Sequence, residues 1–324
     1  MDEFAIIQKY FANVPQGAGV STGIGDDCAI VSPPEGCNLV MSIDTMVEGV
    51  HFPKDTQAER IGARVISGAL SDLAAMGARP LWFTLSLTMP NANEEWLEGF
   101  TAGMMTIANR HECALIGGDT TRGPLSITVQ VHGSTIPGKE LTRSGANPED
   151  IIYVTGELGD GAAALAVLLS QLTVTPSTYS YLLKRFFAPT PKIREGELLV
   201  DVASAAIDVS DGLYSDLLKI CEASGVGAIV DVALVPTSRH WSELVNEDRR
   251  LAWALSGGDD YQLCFTVPKK RVPQVESWIQ SGQIVATPIG KITNSMELCV
   301  VKKGNPFPEP KPGYDHFGGD DLGQ

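Results

Sequence analysis

Hydrophobic and polar positions divide the chain into short runs that alternate between two periods. Residues 38–52, "NLVMSIDTMVEGVHF", form an apolar run that predicts a strand, interrupted around Asp44. Residues 57–77, "QAERIGARVISGALSDLAAMG", carry Ile61, Val65, Ala69 and Leu73 at four-residue spacing, which predicts a helix stopped by Gly77. A strand over 81–89, a helix over 94–111 and a strand over 113–116 follow, the last delivering "GGDTTRG"; 126–136, "SITVQVHGSTI", is a further strand. Strand and helix alternate, so this half reads as α/β.

Residues 137–150, "PGKELTRSGANPED", crowd Pro, Gly, Asn and Ser together and predict a domain boundary. Beyond it come a strand "IIYVTG", helices over 161–172, 178–187 and 193–203, and the strand "AAIDVS". The helix "GLYSDLLKICEAS", the strands "GAIVDV" and "LCFTVP", a helix near 269–280 and the strand "ATPIGKI" complete a second α/β pattern. The expected organisation is an N-terminal domain over 1–138, a C-terminal α/β domain over 149–306, and an irregular Pro- and Gly-rich tail over 307–324.

Composition narrows the function more than the fold. The chain has 324 residues, 44% of them hydrophobic, which suits about two domains of roughly 150 residues. Its net charge of −15 argues against an extended nucleic-acid interface, which needs a basic surface, and against an anionic membrane surface. An anionic substrate stays compatible, because a divalent cation can bridge acidic groups to phosphates. The opening "MDEFAIIQKYF" lacks a basic region followed by an apolar one, so no secretory signal is visible, and no segment reaches bilayer-spanning length. Six scattered cysteines without a C-x-x-C pair predict reduced thiols in a cytoplasmic protein.

Acidic residues are placed oddly. "GIGDDCAIV" (23–31) sets Asp26 and Asp27 side by side at the mouth of a strand, and "SIDT", "SDL", "GGDTTRG", "DVSDG" and "SGGDDY" repeat the association of Asp with Gly, Ser or Thr. A lone Asp is usually a cap or turn residue. "SDL", however, lies inside a helix, where Asp is a mediocre choice, and Asp44 lies in an apolar strand. Asp27, Asp44, Asp72, Asp119, Asp208 and Asp211, with hydroxyls from Ser42, Thr120 and Ser210, form an oxygen-only donor set suited to Mg²⁺ and phosphate. Two glycine-rich stretches are weaker candidates. "GSTIPGK" (133–139) has the spacing of a phosphate loop but lacks both the following Ser or Thr and a helix; "GELGDG" (156–161) offers backbone N–H groups at a strand–helix turn.

Together "GIGDDCAIV", "SIDTMVEGVHF", "LSDLAAMGARP", "LIGGDTTRGPLSITV", "LTRSGA", "IDVSDGL", "LSGGDDYQLCF" and "GYDHF" resemble the thiamine-monophosphate kinase family over about residues 3–317. Single pieces resemble the wider superfamily of aminoimidazole-ribonucleotide synthetase, selenophosphate synthetase and a hydrogenase maturation factor. The resemblance implies two α/β domains, the first pairing with its copy in a homodimer, with ATP and several Mg²⁺ ions between the domains. It implies metal ligands at Asp27, Ser42, Asp44, Asp72, Asp119, Asp208 and Asp211, ATP contacts from Gly118, Asp119, Arg143 and Ser210, and thiamine-phosphate contacts from His51, Asp259 and Tyr314. Two positions depart from the family pattern: Ile43 stands where Thr is frequent, and Asp259 where Glu is frequent.

The implied reaction is phosphoryl transfer from ATP to thiamine monophosphate, giving thiamine diphosphate and ADP. Its acceptor is a phosphate, largely a dianion at pH 7, so no general base and no phospho-enzyme are expected. Charge neutralisation and alignment of two anions carry the catalysis. The competing expectations are another ATP-dependent member of the superfamily, such as a synthetase, and a cation-binding structural protein without turnover.

Overall fold

The computed structural model describes residues 2–311, 313–314 and 316–317, and the remainder of the tail lies outside the described residues. The chain divides into two units, Met1–Glu140 with Phe187–Val200, and Leu141–Phe186 with Asp201–Gln324.

In the first unit, α1 (Glu3–Ile6) leads to a two-stranded ribbon of β1 (Val20–Thr22) and β2 (Ile30–Val31). Then come β3 (Asn38–Val47), α2 (Ala58–Ala75), β4 (Arg79–Met89), α3 (Glu94–Arg110), β5 (Ala114–Arg122) and β6 (Ser126–Thr135). The four long strands form one sheet in the order β3-β6-β4-β5, with β4 and β5 parallel and the other pairs antiparallel. The four-residue period of α2 places Ile61, Val65, Ala69 and Leu73 in the core, each 2% exposed or less. Gly77 ends the helix in a left-handed conformation at φ +63°, as the sequence predicts. Two glycines let α2 and α3 touch backbone to backbone: a Cβ on Gly62 would collide with the Phe100 carbonyl, and one on Gly103 with that of Glu59.

Two local expectations are corrected here. β3 is not interrupted at Asp44, which sits in register opposite Val129. The ladder is made by backbone groups, so a carboxylate pointing off one face leaves it intact. The strand expected over 113–116 runs on as β5 to Arg122, so "GGDTTR" is strand and not loop.

The second unit begins with β7 (Ile151–Thr155), α4 (Asp160–Leu168) and α5 (Pro176–Phe187). α6 (Ile193–Leu199) belongs to the first unit, where it packs on α2 with Gly196 against the Ala74 carbonyl. β8 (Ala205–Val209), α7 (Leu213–Ser224), β9 (Gly227–Asp231), α8 (Arg239–Ser242), α9 (Glu247–Ser256) and β10 (Gln262–Val267) follow. The unit closes with α10 (Val272–Gln280), β11 (Ala286–Thr293), β12 (Leu298–Lys302) and β13 (Asn305–Pro306). Its seven strands lie in the order β13-β12-β9-β11-β7-β10-β8. Ile152 and Val154 of β7 and Ile207 and Val209 of the edge strand β8 pack with Leu213, Leu217 and Ile220 of α7 in its core. α9 and β12 were not expected from the sequence. All six cysteines are free thiols. Among the described residues no helix is long and apolar enough to cross a membrane.

Candidate active site

In the first unit the acidic motifs meet in pairs. Ser42 and Asp44 are two residues apart on β3 and so project from one face, the face that α2 covers. The Ser42 hydroxyl donates a short hydrogen bond to Oδ2 of Asp72 in α2. A helical aspartate is thus aimed at the strand that carries "SID". Asp27 lies exposed in the loop between β1 and β2, its N–H donating to Asp26 Oδ1 at 2.8 Å. Ile24 of that loop lines a recess of about 50 Å³ together with Ile7, Phe11, Leu85, Gly118 and Asp119. "GIGDD" and "GGDTT" therefore share a wall. Gly118 lets β5 lie close against β4, since a Cβ there would strike the Leu85 carbonyl. His51 occupies the turn after β3. Its Nδ1 accepts from the Val47 N–H at 3.0 Å, and its carbonyl accepts from Nε of the buried Arg64 at 3.1 Å.

The second unit gathers another set at the end of β8. Asp208 is buried on that strand, and Ser210 and Asp211 follow it. Asp216 reaches back from α7 and fixes the turn: its Oδ2 accepts the N–H groups of Ser210 at 3.0 Å and Asp211 at 3.1 Å. Lys219 donates to Asp211 Oδ2 and to Asp216 Oδ1, both at 2.8 Å. Burial raises the Asp216 carboxyl above its ordinary range, opposed by the ammonium of Lys219. The "SGGDDY" segment lies alongside, with the Asp259 N–H donating to the Ser210 carbonyl at 2.9 Å and the Tyr261 N–H to Val209 at 2.8 Å. The tail also comes here. The Gly313 N–H donates to Ser215 Oγ at 2.8 Å, and its Cα lies so close to the Asp211 carbonyl that a Cβ could not be added. Tyr214 donates to Glu309 at 2.7 Å, which holds the approach, so Tyr314 emerges beside the "DVSDG" turn.

The backbone at Arg143 lies toward the start of β8. The carbonyl of its neighbour Thr142 accepts from Ala206 near the start of β8, whereas Ser210 lies past the end of that strand. Four residues at about 3.3 Å each put roughly 13 Å between those points. Among the described residues no three His, Cys, Asp or Glu side chains converge into a ready-made cation cage. The donors present are all hard oxygens, which suits Mg²⁺; that ion usually takes one or two carboxylates and fills its remaining positions with water and substrate phosphate.

The glycine-rich candidates separate cleanly. No helix follows "GSTIPGK"; the chain turns at Gly138 (φ +76°) and continues without regular structure to β7. In "GELGDG", the N–H groups of Gly159 and Gly161 already donate to the Asp260 carboxylate, at 2.6 and 3.0 Å.

Known proteins resemble the chain in family and in fold. The models of the AIR synthase related protein N-terminal and C-terminal domains match residues 25–135 and 147–303. The thiamine-monophosphate kinase of Escherichia coli (strain K12) is 46% identical over 97% of this chain and 98% of its own. The chain belongs to the thiamine-monophosphate kinase family. The solved kinase of Stenotrophomonas maltophilia K279a has a TM-score of 0.83 at 42% identity, covering 90% of this chain and 93% of its own. The structure of AaThiL complexed with AMPPCP and TMP has a TM-score of 0.77 at 31% identity, covering 92% and 93%. Set among thiamine-monophosphate kinases, Asp216, Lys219 and Asp260 are the residues that sequence reading missed. Asp216 and Lys219 carried a faint signal, lying three residues apart in the helix that opens at "DVSDG". Asp260 was hidden by its neighbour, because two adjacent aspartates look alike until the backbone turns them apart.

Proposed function

We propose that this chain is a thiamine-phosphate kinase, transferring the γ-phosphoryl group of ATP to the phosphate of thiamine monophosphate. An acceptor oxygen forms the new P–O bond as the bond to ADP breaks, giving thiamine diphosphate. The observation that carries this is the match, over 92% of the chain at 31% identity, to a kinase-fold structure holding both an ATP analogue and TMP. In this reading Gly118, Asp119, Arg143 and Ser210 contact ATP, and His51, Asp259 and Tyr314 contact the acceptor. The place of Arg143 rests on its motif alone. Asp27, Ser42, Asp44, Asp72 and Asp119 in the first unit, and Asp208 and Asp211 in the second, would hold Mg²⁺, which when bound neutralises phosphate charge. The hydroxyl of Ser42, fixed by Asp72, and the turn of Ser210–Asp211, fixed by Asp216, keep oxygen donors in place before substrate arrives, and such pre-set positions cost no reorganisation during the reaction. A coupled assay tests the reading. ADP should form on adding thiamine monophosphate, and not on adding an aminoimidazole precursor or selenide; the reverse pattern would assign the chain to a synthetase.

A homodimer and a cytoplasmic location belong to the same proposal. The support for the dimer is a row of apolar residues on the outer face of edge strand β3: Leu39, Met41 and Ile43, which are 41%, 57% and 62% exposed. Such a row is costly to leave in water, and a second copy presents its match. Ile43→Lys should shift the protein toward monomer in light scattering, and an unchanged mass would reject this face as the contact.

A further inference from the structure

Asp259 stands in a backbone conformation that few residues other than glycine adopt, with φ at +67°, and Tyr261 two residues later is at +50°. Such a backbone persists only where its surroundings over-determine it, and it tends to be kept where it aims a functional group. Here the restraints are specific. The carboxylate of Asp260 is buried. Its Oδ2 accepts from the Gly159 N–H at 2.6 Å and its Oδ1 from the Gly161 N–H at 3.0 Å, at the mouth of α4. Gly161 presses on the same segment, since a Cβ there would meet the Gly258 carbonyl and lie 2.8 Å from Asp259 Cβ. The adjoining Asp160 is held in turn by Tyr181 Oη at 2.7 Å, Arg185 Nε at 2.7 Å and Trp241 Nε1 at 2.8 Å, which makes the helix mouth a rigid base. From the other side the Tyr261 hydroxyl donates to Asp259 Oδ1 at 3.2 Å. Burial, with Asp160 nearby, pushes the Asp260 carboxyl up to about 7, while the two N–H donors and Arg185 favour its anion.

We infer that Asp260 is a positioning residue for the acceptor site: its carboxylate fills the anion cradle of "GELGDG", and by doing so holds Asp259 in the left-handed turn that presents it to the thiamine end of the substrate. The glycine loop that sequence reading weighed as a phosphate cradle therefore binds an anion supplied by the chain itself. This inference rests on the assignment of Asp259 to the acceptor. Tyr261 is the second support of the same turn, acting on the side chain where Asp260 acts on the backbone.

Asp260→Asn tests this. The amide keeps one acceptor but faces the other N–H with a donor of its own, so the cradle cannot close. The expected result is a KM for thiamine monophosphate raised about tenfold or more, with kcat and the ATP KM within about twofold. Amide hydrogen exchange at Gly159 and Gly161 should also quicken. Tyr261→Phe keeps the ring and the fold and should raise the acceptor KM about threefold, which tests the turn even if Asp260→Asn folds poorly. If Tyr261→Phe too moves both KM values and kcat together, the effect is a general loss of structure and the inference is overturned. Asp259→Ala separates the two layers of the argument. If it raises the acceptor KM while Asp260→Asn and Tyr261→Phe do not, the inference fails and the assignment of Asp259 stands. If Asp259→Ala itself leaves the acceptor KM unchanged, the assignment fails and the inference with it.

Discussion

At the scale of single residues, the candidate site gathers side chains whose placement makes little sense for stability. Asp44 sits mid-strand and half-buried, on the face where Ser42 meets Asp72. Asp44→Asn preserves shape and should preserve circular dichroism, yet phosphoryl transfer should fall by orders of magnitude because a neutral amide is a poor Mg²⁺ ligand. Turnover near that of the parent protein would remove Asp44 from the site. Asp259 and Tyr314 are far apart in sequence but converge on the Ser210–Asp211 turn, through the Asp259 N–H and through Gly313. A stacked tyrosine on a cationic ring is worth roughly 0.5–2 kcal/mol. A loss near 1 kcal/mol is about fivefold in affinity. Tyr314→Ala and Asp259→Ala should therefore raise the KM for thiamine monophosphate at least several-fold, with the ATP KM within about twofold, and Asp259→Glu should be tolerated. Steady-state kinetics with each substrate varied in turn would show this. Weakened ATP binding with an unchanged acceptor would reverse the assignment.

At the scale of elements, periodicity was a good guide where one face is buried and a poor one where the backbone acts alone. α2 was legible because Ile61, Val65, Ala69 and Leu73 fill one stripe, and α3 and β4 were legible for similar reasons. β5 looked shorter than it is because "GGD" resembles a loop; the glycines instead let the parallel ladder with β4 continue past Leu85. α9 escaped notice because "EDRRLAWALS" buries only Leu251, Ala254 and Leu255. The motif residues themselves were legible, but not their supports: no spacing rule reveals that Asp216 accepts two backbone N–H groups six and five residues before it. The α2–α3 contact offers a direct check of element packing. Gly62→Ala sets a methyl group against the Phe100 carbonyl, where only the backbone can give way. Overpacking of this kind costs about 1–3 kcal/mol, so the urea midpoint should fall clearly. An unchanged midpoint would mean the helices separate at little cost.

At the scale of the whole molecule, the net charge of −15 is partly explained by carboxylates placed near one another, Asp208 and Asp211 at the C-terminal end of β8 and Asp44 of β3 on the face covered by α2, which carries Asp72. Such groups repel one another without a cation. A ligand that binds only the folded state stabilises it in proportion to the logarithm of its concentration over Kd. The thermal midpoint should rise with Mg²⁺ and rise further with Mg²⁺ and a non-hydrolysable ATP analogue; no shift with either would count against a cluster shared by metal and nucleotide. The return of α6 to the first unit, with Gly196 against Ala74, has a consequence for how the molecule comes into being. The stretch up to Glu140 lacks a piece of its own wall, so it is not an excisable module: expressed alone it would leave part of α2 bare and prone to clump. Closing that wall requires residues more than a hundred positions apart to find each other, and contacts of such long sequence separation slow folding. During synthesis the first unit must therefore wait, incomplete, while the opening strand and helices of the second are being made.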